Sequence, residues 1–475
     1  MPLTTEVMAA SGVRFGTSGA RGLVSEMSDE VCFAYVLAFL HAVGLTPGTG
    51  VALGIDLRPS SPRIATACAA AIRAAGGEVV YCGAIPTPAL AFYAQTQAMP
   101  AMMVTGSHIP FDRNGIKFYR AEGEISKADE ATIVAARLPM PEGLDLAPLP
   151  MAAPEAWLAY VGRYLDFFPA ACLAGMRLGF YEHSSLARDL LTEVLVALGA
   201  EVISLERTDA FVPIDTEAVG QEDVARAQAW AAEGHFDALI STDGDADRPL
   251  IGDEQGRWLR GDVVGILCAR FLGATAVVTP VSSNTALEKC GAFSRTSRTR
   301  IGSPYVIAGM AELVAAGETG VVGFEANGGF LVGTPVVRAG RVLAPLPTRD
   351  AVLPILVLLA EARMRGVPVS ALPHDLPARF TASGRLQHYA TERSQALVAR
   401  LARAPAEQAA LFGDLCGGPA AQDETDGLRM TFSSGEVVHL RPSGNAPELR
   451  CYAEADSQAR ADDLVLRCLD RIAVG

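Results

Sequence analysis

The sequence predicts three tandem α/β domains of similar pattern, followed by a C-terminal α+β domain. Three observations lead to this fold class. The chain has 475 residues, which is too long for one hydrophobic core. A buried strand, a short serine-bearing loop and a helix recur three times along it. Residues 371–475 instead have the pattern of antiparallel strands around a loop.

The three repeated units begin with strands that are rich in apolar residues. These strands are VALGI (51–55), MRLGFY (176–181) and ATAVVTP (274–280). In the first two units a second strand follows the helix, after Gly76 and Gly199. The third unit has a shorter helix, which ends at Gly291. Alternation of strands and helices indicates parallel α/β sheets.

Two proline-rich segments, 138–154 and 367–377, predict domain boundaries. The C-terminal stretch GLRMTFSSGEVVHLRPSGNAPELRCYAEA is typical of antiparallel strands. We therefore expect four domains, which cover residues 1–150, 151–253, 254–370 and 371–475.

Composition excludes several classes of protein. Half of the residues are hydrophobic and 19% are charged, so large-scale disorder is not expected. The formal net charge is −14 and no Lys/Arg block occurs, which argues against nucleic acid as the main partner. The nine cysteines form no C-x-x-C pair, and no secretory signal or membrane-spanning run is apparent. We expect a cytoplasmic protein that has no membrane partner.

The stretch STDGDADRPLIGD (241–253) follows the apolar run FDALI and therefore lies at the carboxyl end of a strand. Asp243, Asp245 and Asp247 would repel one another unless a cation neutralised them. Oxygen ligands suit a hard ion such as Mg²⁺. An EF-hand is excluded, because that loop needs glycine at its sixth position and Arg248 stands there. The remaining alternative is a solvated acidic turn.

Three glycine-containing stretches could bind phosphate or sugar. FGTSGARG (15–22) and RPSGNAPELR (441–450) combine arginine, hydroxyl groups and backbone N–H groups, which suit a phosphate. GFEANGGFLVG (323–333) offers a carboxylate and an amide, which suit sugar hydroxyls. Each stretch taken alone is equally compatible with an ordinary turn.

The stretch TGSHIP (105–110) places Ser107 after the apolar run AMMV, again at a strand end. A free serine is a weak nucleophile without a base or a metal, and the adjacent His108 is expected to point in a different direction. Local chemistry alone therefore favours a turn residue at this position.

Taken together and in order, TGSHIP, DGDADR, FEANGG and RPSGNAP resemble the signature loops of the α-D-phosphohexomutase superfamily, and the resemblance covers essentially the whole chain. It implies mixed sheets and four domains around a central cleft. It also implies interconversion of mannose 6-phosphate and mannose 1-phosphate, with glucose phosphates as further substrates. The expected cofactors are Mg²⁺ and a hexose 1,6-bisphosphate activator. The expected partner is the hexose phosphate, and the chain would be a monomer or a homodimer.

The resemblance also implies roles for individual residues. The serine would carry a phosphoryl group and would bind Mg²⁺ together with the aspartates, which gives the ligand set Ser107, Asp243, Asp245 and Asp247. Residues expected at the reacting phosphate are Ser107, His108, Lys117, Arg21 and Arg248. Residues expected to bind substrate are Glu325, Asn327, Ser303, Arg441, Ser443, Gly444 and Asn445.

Two departures from the family pattern affect these expectations. Relatives often carry a histidine near the end of the sugar loop, where this chain has Gly328-Gly329-Phe330. Lys117 then becomes the expected acid/base, with His108 as the second candidate. For this role the pKa of Lys117 would have to fall. The phosphate loop has Asn-Ala-Pro where Thr-Glu-Pro is usual. Phosphoglucosamine mutase, phosphoglucomutase, a metal-dependent sugar phosphatase and a non-catalytic sugar-phosphate-binding protein remain alternatives.

Overall fold

The computed structural model describes residues 1–16, 19–443 and 447–474. The strands are β1 (Arg14–Phe15), β2 (Ala20–Leu23), β3 (Gly50–Ile55), β4 (Glu78–Ala84), β5 (Ala101–Val104), β6 (Arg113–Arg120), β7 (Gly123–Glu124), β8 (Arg177–Tyr181), β9 (Glu201–Leu205), β10 (Ala238–Thr242), β11 (Pro249–Gly252), β12 (Ala276–Pro280), β13 (Arg295–Thr299), β14 (Val321–Phe324), β15 (Phe330–Val332), β16 (Val336–Arg338), β17 (Arg341–Leu343), β18 (Leu346–Asp350), β19 (Phe380–Leu386), β20 (Pro419–Asp423), β21 (Leu428–Phe432), β22 (Val437–Pro442) and β23 (Leu449–Ala455).

Helices connect and cover these strands. They are α1 (Thr4–Ala10), α2 (Asp29–Ala42), α3 (Ser61–Ala74), α4 (Thr87–Thr96), α5 (Lys127–Ala135), α6 (Glu155–Phe167), α7 (Arg188–Ala197), α8 (Gln221–Gly234), α9 (Gly261–Phe271), α10 (Ala286–Lys289), α11 (Ser303–Ala315), α12 (Val352–Arg365), α13 (Thr391–Arg403), α14 (Pro405–Cys416), α15 (Gln458–Val474) and a 3₁₀ helix (Val369–Asp375). Within the described residues, no helix is both long enough and apolar enough to cross a membrane.

The first three sheets share one strand topology. In the sheet order, β6-β5-β3-β4, β11-β10-β8-β9 and β15-β14-β12-β13 are equivalent runs of four strands. Counted along the chain, the first strand of each unit (β3, β8 or β12) pairs in parallel with the second and the third strands. The fourth strand of each unit (β6, β11 or β15) is antiparallel to the third. The prediction of three similar α/β units with mixed sheets is therefore confirmed.

The third unit differs from its prediction in one respect. A second parallel strand, β13, follows the helix of this unit, whereas the sequence predicts only the helix that ends at Gly291. This strand reads RTSRT and lies at the sheet edge, where its side chains are mostly half-buried. Because the apolar alternation of a buried strand is missing, its sequence gives no strand signal.

The sheet of the C-terminal unit is antiparallel throughout, in the order β19-β23-β22-β21-β20. It has its own hydrophobic core with α13, α14 and α15, as expected for an α+β domain. The first three units, by contrast, share a continuous core that extends from Ala52 to Leu372 and includes most of α12. The four large sheets lie in consecutive segments of the chain, and β16 and β17 form a separate two-stranded sheet. The domain boundaries given above stay predictions.

A buried carboxylate joins the fourth unit to the third. Glu454 on β23 is 3% exposed. It accepts hydrogen bonds from the backbone N–H of Thr285 at 3.0 Å, from the Thr285 hydroxyl and from the Arg379 guanidinium. Removal of a charge from such a site leaves buried donors without an equivalent partner.

We therefore expect Glu454→Gln to weaken the attachment of the fourth unit by about 2 kcal/mol, because hydrogen bonds to a charged acceptor are lost. Hydrogen exchange at Thr285 and along β19 would report the change as faster exchange. The matched control is Asp456→Asn, which alters an exposed carboxylate two residues away. Unchanged protection in Glu454→Gln would contradict this role.

Candidate active site

The three repeated units contribute three loops from one topological position. Each loop connects the third strand of its unit to the antiparallel fourth strand, and the loops lie at 105–112, 243–248 and 325–329. The carboxyl end of a parallel strand is where open α/β sheets bind ligands. The topology thus explains why the serine, the aspartates and the sugar-loop glutamate, which are far apart in sequence, meet in one site.

Ser107 is fully buried and lies directly against the aspartate loop. Its hydroxyl donates a 2.7 Å hydrogen bond to Oδ2 of Asp243, and its Oγ lies 3.4 Å from Nδ1 of His108. The backbone φ of Ser107 is 53°, in the left-handed region that non-glycine residues rarely adopt. Such a conformation costs energy of its own and persists only where surrounding contacts hold it.

Those contacts come mainly from Arg58, a fully buried arginine in the loop after β3. Its guanidinium donates to the carbonyl oxygens of Ser107, Ile109, Pro110 and Arg113 at 2.5–2.9 Å. Its Nε pairs with Asp56 at 3.0 Å. A Cβ at residue 106 would lie 2.5 Å from Cζ of this arginine, so the loop needs glycine there.

The three aspartates form a buried group whose carboxylate oxygens lie within 4.8 Å of one another. Two of these oxygens, Oδ1 of Asp245 and Oδ1 of Asp247, are buried and have no hydrogen-bond partner. A hard divalent cation prefers such oxygen donors. The group therefore fits a metal ion such as Mg²⁺.

The pKa values of the three carboxyl groups shift in different directions. Burial, together with repulsion from Asp245 and Asp247, raises the pKa of Asp243 well above its usual value. Burial also disfavours the charged form of Asp245, but attraction by Lys117 outweighs it and lowers the pKa. The same balance lowers the pKa of Asp247, where Arg349 supplies the largest attraction. The cations around the group therefore decide which carboxylates stay ionised.

Lys117, on β6, bridges two of these carboxylates. Its Nζ donates to Oδ2 of Asp245 at 2.6 Å and to Oδ2 of Asp247 at 2.8 Å. Burial tends to lower the pKa of Lys117, but the two carboxylates raise it by more. The expectation that this pKa falls is therefore wrong for the observed arrangement, in which Lys117 is held as an ammonium.

The remaining residues expected at the reacting phosphate lie close by. Nε of Arg248 is 3.6 Å from Asp247 and 3.9 Å from Asp243. The pKa of His108 is lowered to about 2, mainly by the charge of Arg248 and then by burial and Arg21. Its imidazole is therefore neutral. Burial and the neighbouring cations Arg248 and Arg349 lower the pKa of Arg21 to about 10. The result is a positive rim around the serine.

The loop at 325–329, the expected sugar loop, lies in the third unit and is connected to Asp247 through Arg349. Glu325 is buried and pairs with Nη1 of Arg349 at 3.1 Å. Oδ1 of Asn327 accepts from the N–H of Gly329 at 2.9 Å and so closes the turn. Ser303, at the start of α11, donates to Glu124 of the first unit at 3.2 Å. The side chain of Asn327 therefore helps to shape the loop.

The end of β22, in the fourth unit, is connected to the third unit through Asp426. Nε of Arg441 pairs with Asp426 at 2.9 Å, and the same carboxylate oxygen accepts from the N–H of Ile301 in the third unit. The N–H of Ser443 donates to the carbonyl of Glu448 at 2.9 Å. Gly444 and Asn445, also expected to bind substrate, lie outside the described residues.

Comparison with known proteins places the chain in a family. The phosphoglucomutase/phosphomannomutase models for α/β/α domain I, α/β/α domain III and the C-terminal domain match residues 12–138, 260–380 and 392–470. A phosphomannomutase of Salmonella muenchen is 48% identical over 99% of this chain and 97% of its own length. The chain belongs to the phosphoglucomutase/phosphomannomutase family.

Two further comparisons agree with this membership. A phosphomannomutase of Sinorhizobium fredii (strain NBRC 101917 / NGR234) is 45% identical over 96% of this chain and 98% of its own length. A solved structure of a phosphoglucomutase/phosphomannomutase family protein from Burkholderia thailandensis has a TM-score of 0.73 at 20% identity. It covers 100% of this chain and 99% of that one, and at this identity the likeness concerns the fold.

The sequence did not identify Arg58, Arg349 and Glu124, three buried or half-buried residues of this candidate site. Arg58 had a local signal, because it lies in the loop DLRPSSP after the first strand of the first repeat. Arg349 had none, since LPTRD on β18 resembles any strand that ends in charged residues. Both act through contacts between segments that are distant in the chain.

We expect Arg58→Gln to lower the free energy of unfolding by about 3–5 kcal/mol, because it leaves Asp56 and several carbonyl oxygens without their partner. Amides of residues 106–113 should then exchange faster with solvent. Arg58→Lys keeps the charge but loses the forked geometry, and should show an intermediate effect.

The control is Arg63→Gln, which removes a partly exposed arginine in the first turn of α3 that pairs with Asp29. Exchange at 106–113 as slow in Arg58→Gln as in Arg63→Gln would contradict the scaffold role.

Proposed function

We propose that the chain is a phosphomannomutase, which interconverts mannose 6-phosphate and mannose 1-phosphate through a phosphoserine and a hexose 1,6-bisphosphate. The observation that carries the proposal is the Ser107 hydroxyl, buried 2.7 Å from one of three grouped carboxylates. Identity of 45–48% to two phosphomannomutases over nearly the full chain supports the choice of substrate.

In this proposal Ser107 carries the phosphoryl group. The bond from phosphorus to Ser107 Oγ breaks as a bond to a sugar hydroxyl oxygen forms, which produces the bisphosphate. After the bisphosphate has reoriented, Ser107 takes the phosphoryl group from the other position. The sugar hydroxyl loses a proton as its oxygen bonds to phosphorus, and the leaving Oγ of Ser107 gains a proton. The second transfer reverses both changes, so the full cycle is balanced.

Phosphoserine 107, Asp243, Asp245 and Asp247 would hold Mg²⁺, in agreement with the two unpartnered buried oxygens of the group. Bound there, the ion would neutralise negative charge on the transferring phosphoryl group. Arg21, Arg248 and Lys117 supply positive charge from the protein itself. Of these, Lys117 and Arg248 are positioned before the reaction by the aspartates that they contact.

The two ends of the substrate are bound by different units. Glu325 and Asn327, with Ser303 nearby, would hold the sugar hydroxyls, and the loop that begins at Arg441 and Ser443 would hold the phosphate that is not being transferred. Arg441 is already oriented by Asp426, and an arginine suits bidentate binding of a phosphate. We also propose Gly444 and Asn445 for this phosphate, and a hexose 1,6-bisphosphate as activator.

We propose that the enzyme works in the cytoplasm. All nine cysteines are unpaired and seven are buried, which is typical of a reducing compartment. The expected monomer or homodimer stays a prediction.

The test of the function is a coupled assay with mannose, glucose and glucosamine 1-phosphates, with Mg²⁺ and a bisphosphate activator. Mannose 1-phosphate should be converted with the highest kcat/KM, and Ser107→Ala should abolish transfer because the phosphoryl carrier is gone. Ser434→Ala, which alters an exposed serine, is the matched control. Activity retained in Ser107→Ala, or no turnover of any hexose phosphate, would overturn the proposal.

Metal dependence can be measured separately by calorimetric titration with Mg²⁺. We expect Asp247→Asn to bind Mg²⁺ at least about 100-fold more weakly, because one charged ligand is lost. Asp209→Asn, which alters a carboxylate that is 96% exposed, should bind as the unmodified chain does. Equal binding by both variants would contradict the assignment of the metal loop.

A further inference from the structure

Gly329 and Arg349 occupy one space in the site. A Cβ on Gly329 would lie 2.7 Å from Cδ, 2.8 Å from Cγ and 3.1 Å from Cβ of Arg349. Real Cβ atoms do not approach other atoms this closely without displacing them. The aliphatic part of Arg349 therefore fills the volume that any side chain at position 329 would need.

The guanidinium of Arg349 joins the sugar loop to the metal loop. Its Nη1 donates to Oε2 of Glu325 at 3.1 Å, and its Nη2 donates to Oδ2 of Asp247 at 2.6 Å. The side chain is 4% exposed. The end of β18 that carries it is anchored, because the next residue, Asp350, accepts hydrogen bonds from the hydroxyls of Tyr160, at 2.6 Å, and Tyr164.

This contact changes what the sugar loop can offer a ligand. The Glu325 carboxylate is already compensated by a guanidinium, so it can accept hydrogen bonds from neutral hydroxyls but has little net negative charge for a cation. Oδ1 of Asn327 is engaged by Gly329, and the amide nitrogen of Asn327 is a donor. Among the side chains of this loop, none therefore offers an unpaired carboxylate to an ammonium group.

We propose that Arg349 makes the site select neutral hexose phosphates over 2-amino sugar phosphates. The proposal rests on the phosphohexose mutase function above and names a specificity-determining residue for it. A positively charged amine on the sugar would lose its hydration in a buried cleft whose Glu325 carboxylate is already paired with Arg349, so no new ion pair would offset that loss. A hydroxyl or an uncharged substituent has a much smaller desolvation cost.

The experiment compares kcat/KM for mannose 1-phosphate, glucosamine 1-phosphate and N-acetylglucosamine 1-phosphate at neutral pH. In Arg349→Gln the carboxylate of Glu325 is released, so the glucosamine-to-mannose ratio should rise about tenfold. The N-acetylglucosamine-to-mannose ratio should not change, because that sugar carries no charge. Arg295→Gln, a half-exposed arginine on β13, is the matched control.

Two further variants separate charge from space and keep the test decisive if Arg349→Gln does not fold. Arg349→Lys keeps the positive charge and should retain the selectivity of the unmodified chain. Glu325→Gln leaves Arg349 partly uncompensated and should lower the glucosamine-to-mannose ratio further. Where direct turnover is too slow, competitive inhibition of mannose 1-phosphate turnover by glucosamine 1-phosphate measures the relative affinity for the two sugars instead.

An unchanged ratio in Arg349→Gln and in Glu325→Gln would overturn the proposal, as would an equal rise for glucosamine and N-acetylglucosamine phosphates, which would indicate a change of space. Failure of the unmodified chain to convert mannose 1-phosphate would instead contradict the proposed function itself. The two failures are therefore distinguishable.

Discussion

Three carboxylates held within 4.8 Å of one another, in a buried turn, are the constraint on which the site depends. Like charges at this distance in a poorly solvated place are unstable unless cations surround them. The protein supplies those cations from separate elements: Lys117 from β6 of the first unit, Arg248 from the loop itself, and Arg349 from β18 of the third. Neutralising one turn therefore draws three units of the chain together.

The repeated topology makes this convergence geometrically simple. In each α/β unit the third parallel strand is followed by an antiparallel strand, and the loop between them carries the functional residues. Ser107, Asp243 and Glu325 thus occupy equivalent places in three copies of one arrangement. Rigidity comes from residues behind the loops: Arg58 binds the carbonyl groups around Ser107, and Asp350 anchors the strand that presents Arg349. The left-handed backbone of Ser107 persists because these contacts over-determine it.

Much of the fold was predictable because strand and helix periodicity is local. The strands at 51–55, 176–181 and 274–280 are present as β3, β8 and β12, and the C-terminal antiparallel strands are present as β21, β22 and β23. The edge strand β13 was missed because its sequence, RTSRT, carries no hydrophobic pattern. The direction of the Lys117 pKa could not be predicted, because the partners that raise it, Asp245 and Asp247, lie 128 and 130 residues away in the chain.

The sequence by itself determined the order of the units, the chemistry of each loop and the family resemblance, because residue type and short-range spacing carry that information. Only the tertiary structure decided which charges neutralise one another. Arg349 lies 102 residues from Asp247 in the chain, yet Nη2 is 2.6 Å from the carboxylate. Coulomb interactions and excluded volume depend on distance in space, so neither this ion pair nor the fit of Arg349 beside Gly329 is written in any local motif.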